Sequence, residues 1–308
     1  MVLLRLFSFY LVAVAIGTSA KAEIIYEGWH KVLSAGQHVG YYIQRYEIDP
    51  KTKVFTSIYF LKTNAIGNDV MEAVKAQSKQ VTEPVQWLVP ISYSYTSTVG
   101  QKTKVIDAVF KEEKDLANPV KKQAKKVKGK DAKVTGSKYK SALRLMATIT
   151  ENGQEKKVDQ VIPENSFIST FLTYIMLQSK AGLKVGNNFS YSAVAEEDAA
   201  VYDGSALVKE STDYNGQPAF KVINEFKKDR FISYINSTGE VLGTKSPLLS
   251  LATDAVSSPE EAYKGFTLDE KHIKQIFGNI PGISKKTAEP KVTEKKSAKE
   301  KTNESKSE

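Results

Sequence analysis

Apolar and polar residues alternate with a period of two along most of this chain. Val39, Tyr41, Ile43 and Arg45 fall on one face of a segment whose other face carries Tyr42, Gln44 and Tyr46, which predicts an extended strand rather than a helix. A turn at Ser34-Ala35-Gly36-Gln37 precedes it, and Asp49-Pro50-Lys51-Thr52 follows with proline where its fixed φ suits a turn. Val54 to Leu61 resume a run of branched and aromatic residues, broken again at Gly67-Asn68-Asp69. Asn152-Gly153 and Asn215-Gly216 lie between alternating segments and favour two-residue hairpin turns. They predict pairing of Leu143–Thr150 with Lys156–Ile162, and of Val208–Thr212 with Ala219–Phe226. Gly-Gln recurs at Gly36, Gly100, Gly153 and Gly216, but at unequal spacing and with unlike flanks, so it reads as shared turn chemistry and not as a repeat.

One segment breaks this rhythm. From Ser166 to Gln178, residues Phe167, Ile168, Phe171, Leu172, Tyr174, Ile175 and Met176 recur at intervals of three and four. That spacing predicts a helix, with Asn165 as its N-cap and Gly182 just past its end. Its near-total lack of charge means that most of its circumference is covered. Phe167, Phe171, Leu172 and Ile175 are the residues expected to line either an apolar ligand site or a core. Ser258-Pro259-Glu260-Glu261 signals a second helix start, and Leu268–Phe277 a further short helix.

The ends differ in kind from the middle. Met1 to Arg5 form a basic start, Leu6 to Ile16 an apolar run, and Ala20-Lys21-Ala22 a small-x-small cleavage site. Together they read as a secretory leader that leaves Glu23 as the first mature residue. The apolar run falls short of the roughly 20 residues that a bilayer span takes. Periplasmic or secreted localisation follows. Beyond Ser284, Lys, Glu, Ser and Thr dominate, a composition that cannot bury enough surface to order itself. The expected organisation is a leader over 1–22, one β-rich domain over 23–265, a short helical extension over 266–283 and a disordered tail over 284–308.

The chain has no cysteine, so disulfides, thiolate metal ligands and cysteine nucleophiles are excluded, and an exported body of roughly 240 residues relies on its core. Of the net charge of +9, most sits in one place: Lys121–Lys140 holds nine lysines against the single acid Asp131. Lys121, Lys122, Lys125, Lys126, Lys128, Lys130 and Lys133 are the candidate patch for an anionic envelope surface. A solvated loop, or a hairpin edge whose lysines discourage further pairing, is the reading these residues favour over it. The patch lacks arginine and has one aromatic, Tyr139, so nucleic acid is not expected as a partner.

Catalytic motifs are absent. No nucleophile elbow, Walker loop or dinucleotide fingerprint occurs, and Ser137-x-x-Lys140 lacks the companion motifs that would give it meaning. His30 and His38 flank the first turn, where they could approach across a hairpin, yet no carboxylate stands at metal-ligand spacing. His272 lies in a polar stretch and is expected in solvent. The acidic runs Glu196-Glu197-Asp198 and Glu112-Glu113-x-Asp115 are expected to be solvated turns. No metal or cofactor is expected.

Tyr26-x-Gly28-Trp29, then Gly36-Gln37-His38-Val39-Gly40-Tyr41, and later Gly239-Glu240-Val241 and Ser258-Pro259-Glu260-Glu261-Ala262 resemble exported bacterial β-rich domains. Some of these are stand-alone periplasmic proteins of unknown function, and others precede transglutaminase-like peptidase domains. The resemblance implies a half-barrel like that of the lipoprotein-localisation factors, without the peptidase activity. The expected fold is therefore mainly β: an antiparallel curved sheet or half-barrel with one apolar helix on its concave face. The expected function is non-catalytic binding of a lipid or other apolar ligand, or of an envelope protein. A scaffold docking on an anionic surface, and an enzyme of an unrecognised family, are the alternatives.

Overall fold

The computed structural model describes residues 22–64, 69–81, 87–113, 142–163 and 165–282. The predicted leader, the lysine-rich segment 121–140 and the tail from Ser284 lie outside the described residues. Within them the chain is mainly β, as its alternation predicts. Eight strands run in sequence: β1 (Glu23–Ser34), β2 (Gln37–Ile48), β3 (Val54–Thr63), β4 (Val70–Val81), β5 (Trp87–Val99), β6 (Lys102–Glu113), β7 (Ala142–Glu151) and β8 (Gln154–Ile162). After β9 (Phe167–Ile168), a 3-10 turn over Ser169–Phe171 and α1 (Leu172–Gln178), the sheet resumes. It continues as β10 (Asn188–Ala195), β11 (Ala200–Tyr214), β12 (Gln217–Phe226), β13 (Asp229–Ile235), β14 (Val241–Ser246) and β15 (Leu251–Val256). Two short helices end the described chain, α2 (Pro259–Ala262) and α3 (Glu270–Phe277).

All fifteen strands form one sheet in the order β8 to β1, then β15 down to β9. Neighbours are antiparallel except β9 with β10. β1 therefore sits mid-sheet, between β2 and β15, with Trp29 opposite Val256 and Ser34 opposite Leu251. The sheet curls without closing. Across the opening, Gln160 Nε2 of β8 donates to the Ala199 carbonyl before β11 (3.2 Å). Nearby, the Trp87 ring of β5 meets Phe167 of β9 edge-on at 5.8 Å.

Local chemistry explains the tight connections. Asn152 and Gly153, like Asn215 and Gly216, all have φ between +50° and +82°, the conformation a two-residue hairpin needs and one that Asn and Gly tolerate best. Ser258 Oγ caps α2 by accepting from the Glu261 amide, with Pro259 inside the first turn. Asp269 does the same for α3 through the His272 amide, and Gly278 closes α3 at φ +78°.

The predicted helix over 166–178 is shorter than its apolar spacing suggests. Phe167 and Ile168 extend and pair in parallel with Ala193 and Val194, residues 169–171 turn as 3-10, and only Leu172–Gln178 are α-helical. Asn165 adopts φ +63° ahead of this and caps nothing. A run that is apolar on nearly every side satisfies a buried strand as readily as a helix, and the unpaired edge of β10 decides for the strand. The helix lies within the curl: Phe171 and Tyr174 meet Phe55 of β3, while Leu177 fills the space above Gly239 on the opposite arm.

Two cores result. The inner one gathers Phe55, Leu88, Ile106, Leu145, Phe167, Phe171 and Phe189 from across the sheet. The outer one lies between the convex face of β1–β4 and the C-terminal helices, with Trp29, Tyr41, Ile43 and Phe60 packed on Ala262, Ile273 and Phe277. Arg45 anchors that second layer. It is 2% exposed, and it donates to Glu27 (2.6 Å), Glu47 (3.2 Å), the Phe277 carbonyl (3.0 Å) and Asn279 Oδ1 (2.9 Å). Trp29 Nε1 reaches the Pro281 carbonyl beside it.

Candidate functional site

Strand alternation sends Tyr42, Gln44 and Tyr46 of β2 inward, opposite to Tyr41, Ile43 and Arg45. With Tyr59 and Leu61 of β3 and Glu72 of β4 they form one wall of an interior cavity of about 410 Å³. His30 of β1 and residues of β12–β15, among them Asn224, Ser233, Thr244 and Thr253, form the other. Ser169, Thr170, Leu172 and Thr173 contribute the 3-10 turn and the start of α1, and Glu196 and Glu197 enter from the β10–β11 turn.

Much of the lining is tied into hydrogen bonds. Gln44 Nε2 donates to Tyr46 Oη (2.7 Å), which donates to the Thr170 carbonyl (2.9 Å). Asn224 Nδ2 donates to Ser233 Oγ (3.1 Å), the Thr244 and Thr253 hydroxyls lie 2.8 Å apart, and Tyr95 Oη donates to Glu72 (3.2 Å). Glu196 does two jobs at once. Its carboxylate accepts from Ser169 Oγ (2.5 Å) and from the Thr170 amide (3.1 Å), one of the amides left open where the turn begins.

Burial displaces most ionisable groups of this lining, raising Tyr42, Tyr46, Tyr59 and Glu72 and, with more consequence, shifting Glu196 and His30. Burial pushes the Glu196 carboxyl up to about 7, with the Ser169 hydrogen bond working against it and the nearby Glu197 charge adding to it. Burial alone holds His30 down to about 4. His30 Nε2 lies 3.3 Å from Tyr26 Oη, its ring stands 5.4 Å from that of Tyr42, and its Nδ1 is buried without a hydrogen-bond partner. The acidic neighbours are treated differently: Lys227 binds Glu197 at 2.6 Å and Asp198 at 2.5 Å.

Several sequence expectations change at this point. Glu196 is not part of a solvated acidic run but 3% exposed, because the turn bearing it folds over the 3-10 turn and offers it two donors. His30 and His38 do not meet: His30 lies opposite Tyr42, whereas His38 lies opposite Leu33 and contacts the Ala262 carbonyl. His272, expected in solvent, is half-buried and sits 2.9 Å from Asp269. Phe167, Phe171 and Ile175 sit in the packed inner core, and only Leu172 of the four apolar candidates reaches the cavity. Lys121, Lys122, Lys125, Lys126, Lys128, Lys130 and Lys133 lie outside the described residues. Among the described residues no group of His, Asp and Glu is arranged to hold a metal ion, and no helix is long and apolar enough to cross a membrane.

No family model and no curated protein matches the chain. Among solved structures, a beta-barrel-like protein of a domain of unknown function, DUF1849, from Brucella abortus is similar at 7% identity and a TM-score of 0.41, over 76% of this chain and 98% of that one.

Proposed function

We propose that this is an exported, non-catalytic binding protein of the bacterial envelope whose small ligand occupies the interior cavity. One observation carries the reading: a cavity of about 410 Å³ inside the curled sheet, walled by polar groups that include the buried Glu196 carboxyl and the Tyr42 and Tyr59 hydroxyls. Small-molecule sites are typically concave, of a few hundred Å³, with a few polar groups on apolar walls. Leu61, Leu172, Phe231 and Val241 supply apolar surface, and tyrosines, amides and carboxylates supply the rest. A purely apolar ligand would leave the Tyr42 and Tyr59 hydroxyls of the lining without partners, so the expected lipid gives way to a ligand with polar atoms of its own. Binding is favoured over turnover because, among the described residues, no serine hydrogen-bonds to a histidine, and Ser169 donates to Glu196 instead. The basic start, apolar run and Ala20-Lys21-Ala22 of residues 1–22, read as an export leader, support the envelope setting.

Native mass spectrometry of the protein purified from the envelope, followed by a fragment screen read by tyrosine-ring NMR, tests the proposal. A co-purifying small molecule, or fragments that shift Tyr42 and Tyr59 signals, is the expected result. A homogeneous mass of the chain alone together with no fragment perturbing those rings would remove it.

A further inference from the structure

We infer that the ligand is a small organic cation, an ammonium-bearing molecule whose charge is met by Glu196 and whose body lies against the tyrosine rings of β2 and β3. This rests on the binding reading above and assigns the ligand's chemistry. Glu196 is 3% exposed, and its hydrogen-bond donors, the Ser169 hydroxyl and the Thr170 amide, are both neutral. Among the described residues no Lys, Arg or His lies within ion-pair distance of it. A carboxylate withdrawn from water without a counter-charge is costly. The neighbouring acids show how the fold handles that cost elsewhere, since Lys227 neutralises both Glu197 and Asp198 and leaves Glu196 alone.

The rest of the lining points the same way. Its ionisable groups are Glu72, Glu196, Glu197, the tyrosines and His30, and it contains no lysine or arginine. Burial keeps His30 neutral at physiological pH, so the lining supplies no cation of its own. The Tyr42 and Tyr59 hydroxyls form no hydrogen bond within the described residues and can accept N–H groups. An ammonium group brings up to three donors and no acceptor, and aromatic faces attract it further. An anionic ligand would meet the carboxyl groups of Glu72 and Glu196, which no cation pairs among the described residues, and a neutral polyol would leave Glu196 as it is.

The test uses three probes of nearly equal shape, benzylamine, benzyl alcohol and benzoate, titrated at pH 8 by calorimetry into the exported chain. Benzylamine is expected to bind at least about ten-fold more tightly than benzyl alcohol, and benzoate more weakly than either. In Glu196→Gln the amine should fall to the affinity of the alcohol. Equal affinity of amine and alcohol in the wild type, or tighter benzoate, overturns the cationic assignment while the cavity stands as a binding site. Failure of all three overturns it too, and the tyrosine-ring screen then decides separately whether the cavity binds anything. The wild-type comparison needs no variant, so a folding defect in Glu196→Gln cannot protect the inference.

Discussion

The two faces of β2 bury charge in opposite ways. Outside, Arg45 is packed against Phe277 at 5.1 Å and paired with two carboxylates, a carbonyl and an amide oxygen. Inside, a few ångströms of backbone away, the wall faces open space and a carboxyl group with two neutral donors. A buried ion with a full set of partners is architecture: it fixes how the C-terminal helices seat on the sheet. A buried acid with no counter-ion, beside a cavity, is an incomplete constellation, and the proposed binding site rests on that incompleteness.

The strongest way to break this contrast is at Arg45. Arg45→Ala leaves Glu27 and Glu47 without their cation and should cost about 3–5 kcal/mol in urea unfolding, with early proteolysis between Val256 and Gly282. A loss below about 1 kcal/mol would mean that the outer seam does not depend on its ion pairs. Phe171→Ala, in the packed part of the inner core, should cost a similar amount, about 3–5 kcal/mol. Leu172→Ala on the cavity wall should cost less, about 1–2 kcal/mol, because that side chain has open space on one side and fewer contacts to lose. Equal losses at the two positions would show that the cavity is closed in solution.

Titration sharpens the comparison further. From about pH 4 to 6.5 the unfolded chain binds a proton at His30 that the native state refuses, so this group makes stability rise with pH. From pH 4.5 to about 7 the native state keeps a proton on Glu196 that the unfolded chain has released, so this group makes stability fall. Each contribution is on the order of 3 kcal/mol, and they largely cancel. Glu196→Gln removes the falling term, so the variant should gain on the wild type as pH rises from 4.5 to 7, measured by urea midpoints at each pH. Parallel profiles would place Glu196 in water. The smallest effect is expected far from both faces, at Gly153→Ala, where φ of +82° in open space should cost about 1 kcal/mol of hairpin stability in the same assay.

Much of the scaffold is legible in the sequence because its determinants are local. The alternation over Val39–Tyr46 sorts the two faces of β2 correctly, the Asn-Gly pairs place two hairpins, and Ser258-Pro259 places the start of α2. The misreadings share a cause. Phe167-Ile168 satisfies both periods, and only the free edge of β10 chooses between them. Glu196 reads as solvated because its donors, Ser169 and Thr170, come from another part of the chain and meet it only after the sheet has curled. The cavity is hidden for the same reason: its walls come from β1–β4 and β12–β15, and nothing in any one strand announces that they face each other. A weak signal existed in the inward set Tyr42, Gln44, Tyr46, whose polar ends are unusual for a face that is buried.

The pairing of β1 with β15 bears on how the molecule is made. The first strand of the described chain stays with one side bare until residues 251–256 are available, so the middle of the sheet is completed last, by a contact spanning well over two hundred positions. Such distant closure slows folding, and until it happens the two arms are separate ribbons with exposed flanks. The step that joins the two halves is also the one that brings the walls of the cavity face to face.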